Sequence, residues 1–180
     1  TTPLPERSGH AMGYDAATRR IVAIGGHGRI DTWTLAPVHP ARIRPNGAAC
    51  PSTAGPASLT MGDSQLPWTG SPLRVLVRNL PQSARTATLL VGGSNTRWGT
   101  SPLPLDLQLV GMPNCLLATR VDIALPQTVS NGTASRNLAI PANPWLHGRS
   151  LYLQALIPDR AANAAGAVLS NSTELQFGGR

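Results

Sequence analysis

Proline and glycine decide most of what this chain can become. Seventeen Pro and eighteen Gly are spread along its 180 residues, and they leave little uninterrupted room for a long helix. Pro removes an N–H that a helix interior needs, and Gly gives up more backbone freedom on ordering than other residues. Between them stand short runs rich in Leu and β-branched residues. They are "RIVAIGG" (20–26), "DTWTLA" (31–36), "LRVLVRNL" (73–80), "TATLLVGG" (86–93), "LDLQLVG" (105–111), "CLLATRVDIAL" (115–125), "ASRNLAIP" (134–141), "SLYLQALIP" (150–158), "GAVLS" (166–170) and "TELQFGG" (173–179). In the third run Leu73, Val75 and Val77 share one face and Arg74 and Arg78 the other, with Leu76 as the exception, which is the two-residue period of a half-buried strand. "SLYLQALI" alternates less cleanly. Turn-forming segments such as "NLPQS", "GMPN", "SNGT" and "PANPW" separate the runs.

Roughly eight strands over residues 45–180 predict an all-β chain built as an antiparallel, jelly-roll-like β-sandwich. The expected layout is a β-hairpin extension at 1–35, an irregular Pro-rich junction at 36–56 ("APVHPARIRPNGAACPSTAGP"), and the sandwich at 57–180.

Charge narrows the partners. All fifteen basic residues are Arg, against eight acidic ones, for a net charge of +7. That balance permits binding to an acidic polymer. The Arg are scattered, however, and an aromatic content of 4% is too low for a base-stacking platform, so nucleic acid is not the expected partner. No apolar run approaches the ~20 residues of a membrane span. The opening "TTPLPERSG" has neither the basic nor the apolar region of a signal peptide, so an exported chain would have lost its signal or carried it upstream. Cys50 and Cys115 form no CxxC pair. They are either one disulfide, as suits an extracellular, cell-surface or periplasmic protein, or two buried thiols.

Few residues offer chemistry. The four His lie in no H-x-H or HExxH arrangement. His10, His27 and His39, with Asp31 nearby and His147 further on, are the candidates for a zinc or copper site. His27 draws most attention, because it follows a double glycine in a Gly-rich loop. Calcium would need oxygen-rich loops, for which Asp63, Asp159, Asn163 and Asn171 are weak material that Asx turns explain better. No cofactor is expected beyond such a divalent ion. "GGSNT" around Ser94 misses the last glycine of a serine-hydrolase elbow and has no helix after it. For carbohydrate binding, Trp98 beside Arg97 and Asn95 is the preferred candidate surface, since a ring can stack on a sugar while polar neighbours read its hydroxyls.

Residues 7–35 resemble a kelch repeat, through Arg7, Gly9 and His10, Tyr14-Asp15, the strand ending in Gly25-Gly26, and "DTWTL" with Trp33. A kelch repeat spans about 50 residues and a propeller closes with at least four blades. No second copy follows in this chain, so the segment is expected to be either the last blade of a longer protein or an attached kelch-like hairpin that is covered or exchanged with a second copy of the chain. Residues 45–180 resemble a C-terminal domain of secreted proteins from planctomycetes and similar bacteria. The matching pieces are "GAAC", "LPWTGSPLRVLVRNLP", "ATLLVGGSNTRWGTSPLPLDL", "GMPNCLL", "IPANPWLHGRSLYLQALIPD" and "AANAAGAVLSNSTEL". Asn114 stands where that family usually has Gly. The resemblance implies an exported β-sandwich and no defined activity. The functional expectation is thus an exported binding or interaction module for a polysaccharide or cell-surface component. The alternative is a small hydrolase or metal-dependent enzyme using the N-terminal His residues.

Overall fold

A computed structural model describes residues 6–15, 20–35 and 39–179. The protein is all-β, with antiparallel sheets, as the spacing of Pro and Gly predicts. Two compact units divide the chain, residues 1–38 and 39–180.

The first unit is a three-stranded sheet of β1 (Ala11–Asp15), β2 (Arg20–Gly26) and β3 (Arg29–Leu35), in the order β1-β2-β3, one strand more than a hairpin. His27 and Gly28 form the two-residue turn between β2 and β3, closed by the Gly26/Arg29 pair. Gly28 takes φ +76 there. Register puts Met12, Tyr14, Ile21, Ala23, Trp33 and Leu35 on one face. Only Ala23 is fully buried, while Met12 and Tyr14 remain 56% and 66% exposed.

The second unit holds β4 (Arg42–Gly47), β5 (Ser58–Met61), β6 (Pro72–Arg78), β7 (Thr86–Gly92), β8 (Arg97–Trp98), β9 (Ser101–Pro102), β10 (Leu105–Asp106), β11 (Leu116–Leu117), β12 (Ile123–Ser130), β13 (Thr133–Ala139), β14 (Ser150–Pro158), β15 (Ala167–Leu169) and β16 (Ser172–Gln176). Nine of these join in one curled sheet, in the order β4-β16-β14-β7-β12-β13-β6-β5 with β15 beside β14. The curl makes two layers, β4-β16-β14-β7-β12 facing β13-β6-β5. Ladder pairing links the layers only at the tip of the β12/β13 hairpin, through Val129/Ala134 and Ser130/Thr133. Beyond that tip β12 pairs with β7 and β13 with β6.

The core lies between the layers. Leu73, Val75 and Val77 are fully buried, as their alternation predicts, facing Leu89, Leu153, Ala155 and Ile157. Leu76, out of phase, is 8% exposed. The mixed pattern of β14 also has a cause. Its outer face is covered by the segment Cys115–Thr119, so Gln154 is buried and fully bonded there. Its Oε1 accepts from Ala118 N–H, and its Nε2 donates to the Leu116 and Ser170 carbonyls. A buried amide with all its partners costs the fold little, whereas an unpaired one would cost a great deal.

The segment 36–56 differs from an irregular junction. Residues 36–38 lie outside the described residues, but Arg42–Gly47 is a paired strand on β16, at the edge of the sheet. Pro45 disguises it in the sequence, and an edge strand tolerates the missing donor. Just beyond it, Cys50 and Cys115 are joined by a disulfide, with Cα atoms 4.9 Å apart. "LDLQLVG" is not one strand either: β10 stops at Asp106 and a 3-10 turn, Gln108–Val110, follows.

Candidate functional site

Arg7, Gly25, Asp31 and Trp33 of the first unit meet in one cluster. The Arg7 guanidinium forms a two-pronged bond to the Asp31 carboxylate at 3.0 and 3.1 Å and donates to the Gly25 carbonyl. It lies 5.7 Å from the centre of the Trp33 ring, and Trp33 Nε1 donates to Asp31 at 2.6 Å. These bonds, Arg7 first and Trp33 second, hold the Asp31 carboxyl below its ordinary range. The double glycine has a spatial reason as well. A Cβ on Gly26 would lie 3.0 Å from the Ser8 carbonyl and 3.3 Å from the His10 Cβ.

Each candidate metal residue has a place. His10 Nε2 sits 3.2 Å from the Met12 sulfur. His27 is an exposed turn residue whose backbone N–H donates to the Ser8 carbonyl. His39 and His147 come together in the second unit, with ring centroids 5.9 Å apart. Among the described residues, no group of three or more His, Cys, Asp or Glu is placed to hold a metal ion. The His39/His147 pair belongs to a clasp between the layers. Trp68 bridges Gly178, Thr69 N–H and Oγ1 donate to the Gly178 carbonyl, and His147 Nε2 lies 3.1 Å from Thr69 Oγ1. A Cβ on Gly178 would overlap the Trp68 ring, and one on Gly179 the His147 ring.

The calcium candidates bond to protein groups. Asp159 is 2% exposed and accepts from Thr53 N–H and Oγ1, while Asn171 exchanges two bonds with the Leu59 backbone. Asn163 donates to the Ala167 carbonyl. Asp63 sits at φ +48 in a 3-10 turn. Ser94 Oγ accepts from the N–H groups of Thr96 and Arg97, the geometry of a turn serine.

The carbohydrate candidates lie on and beside β8. Trp98 is 42% exposed, and Arg97 is exposed too. Consecutive strand residues face opposite ways, so the two do not share a surface. Asn95 Nδ2 donates to Asn46 Oδ1 at 2.8 Å, which joins it to the packing around β4. Trp145, 78% exposed, is the more open ring.

One substantial concavity is marked by no motif. Where β12 and β13 part, a cleft of about 760 Å³ opens between the layers. Leu73, Leu175 and Phe177, all nearly buried, form its inner wall. Leu125 and Leu138 flank it, and Ile123 stands at its edge, 54% exposed. Leu146, from the 3-10 turn Pro144–Leu146, and Leu151 close another side. Register puts Arg136 inward, in phase with Ala134 and Leu138, and it lines the cleft together with Arg149. Its guanidinium donates to the Pro126 carbonyl at 3.3 Å. A cleft of several hundred Å³, mostly apolar with a few polar groups, has the make-up of a small-molecule site. Sequence reasoning missed it because its walls come from six strands. The detectable signal was an Arg in the inward phase of "ASRNLAIP".

No protein-family model matches the chain, and neither does any curated protein or solved structure.

Proposed function

We infer that the protein is an exported binding module that takes a small, mainly apolar ligand into the cleft between its layers. The observation that carries this is the cleft itself: large apolar side chains left partly open where a sandwich would otherwise close. Filling such a space returns the transfer free energy of the apolar surface that both sides remove from water, roughly 25 cal/mol for each Å². The Cys50–Cys115 disulfide supports export, since such bonds persist outside reducing compartments. The metal alternative lacks a cluster of three His, Cys, Asp or Glu among the described residues.

A neutral fluorophore, N-phenylnaphthylamine, tests the reading. The wild-type protein should bind one equivalent with a rise in emission. Ile123→Trp fills the rim from a half-exposed position and should weaken binding by tenfold or more at unchanged melting temperature. A wild-type protein that leaves the dye dark, or a variant that binds as well as wild type, removes the cleft as the site.

A further inference from the structure

We propose that the ligand is an amphipathic anion, an apolar chain ending in a single carboxylate, drawn by the cationic lining that Arg136 and Arg149 supply. The proposal rests on the cleft being the binding site, and it adds a charge requirement to it. Among the described residues, the formally charged side chains lining the cleft are these two Arg. Two carboxylates bond to lining residues, and both already have partners. Asp122 accepts from Arg120 and from the Gly93 N–H, and Glu174 accepts from the Ser150 hydroxyl. Among the described residues, neither Arg136 nor Arg149 pairs with a carboxylate, in contrast to Arg7 and Arg120.

A second polar group lies on the same strand as the lining residues Ile123 and Leu125. Gln127 is in phase with the lining residue Leu125 on β12 and only 6% exposed, and neither its Nε2 nor its Oε1 has a partner. The Arg136 guanidinium reaches the carbonyl of Pro126, the residue before Gln127, at 3.3 Å. An apolar trough lined by two Arg and, among the described residues, by no acid repels a cation, is indifferent to an alcohol, and rewards a carboxylate. A carboxylate is the group that a guanidinium grips with paired, charge-assisted bonds.

The test compares decanoate, decanol and decylamine as competitors of N-phenylnaphthylamine. Decanoate should displace the dye about tenfold better than decylamine, the scale of one hydrogen bond to a charged group. Arg136→Gln should reduce that preference, read as the ratio of decanoate to decylamine displacement. Arg149→Glu, at an exposed position where the fold is not at risk, should shift the preference towards decylamine. If the dye binds but the three competitors displace it equally, or if Arg149→Glu leaves their order unchanged, the anion requirement is overturned and the apolar cleft stands. If the dye does not bind at all, the cleft reading fails and the proposal fails with it.

Discussion

Gly92 shows how closely two backbones approach in this fold. It lies on the outer face of β7, paired with Tyr152, and a Cβ there would overlap the Arg120 carbonyl of the segment crossing above it. Gly93, its neighbour, has nothing nearer to such a Cβ than an Asp122 oxygen at 3.8 Å. Gly92→Ala should therefore lower stability by about 3 kcal/mol, the upper range for overpacking. Gly93→Ala should stay within about 0.5 kcal/mol of wild type, as a substitution with room around it does. Urea unfolding of the pair checks both, and equal losses would refute the crowding argument. Residues of this kind divide what a sequence reveals from what it hides. The alternation of Leu73, Val75 and Val77 is visible because one face of β6 is buried and the other is not. Asn114, between Pro113 and Cys115, adopts φ +58, a left-handed conformation that Asn tolerates. Gln154 was hidden. Its burial depends on a covering segment thirty-odd residues away along the chain, which no local pattern encodes.

In the first unit, the sheet and its motif explain each other. Arg7 precedes β1 and Asp31 lies on β3, so their bond ties the two outer parts of the sheet across β2. Since Arg7, and then Trp33, stabilise the ionised form, the folded sheet holds a proton on Asp31 less readily than the unfolded chain does. The contribution is complete above the ordinary aspartate value of 3.8 and is lost as pH falls through the lowered folded value. A carboxyl-carbon NMR titration should place the Asp31 midpoint below 3.8, with Arg7→Gln moving it back up. A wild-type midpoint at or above 3.8 would contradict the assignment of the bond. His27, by contrast, stood out in the sequence only because nothing required it. In the structure it occupies a turn, a place where many residue types serve. β4 was lost for the opposite reason, since Pro45 made a true edge strand look irregular.

For the whole molecule, the disulfide sets the long-range constraint. It closes a loop 65 residues apart in sequence, which on loop-entropy grounds stabilises the fold by about 4 kcal/mol. Cys50→Ser combined with Cys115→Ser should lose roughly that amount in urea unfolding, and two free thiols per chain in the denatured, unreduced protein would refute the bond. The architecture as a class was legible, because many short strands divided by Pro and Gly have few other solutions. The cleft was not, because it belongs to the parting of two strands and to no segment of its own.

That parting takes place inside a frame. The layers are stitched by backbone hydrogen bonds at the β12/β13 tip and again where Trp68 and Thr69 meet Gly178, next to the cleft-lining Phe177. The aperture therefore has jambs made of main chain, while its lining is made of replaceable side chains. Lining substitutions can retune what enters without moving the posts, which makes this opening a ready template for altered ligand choice.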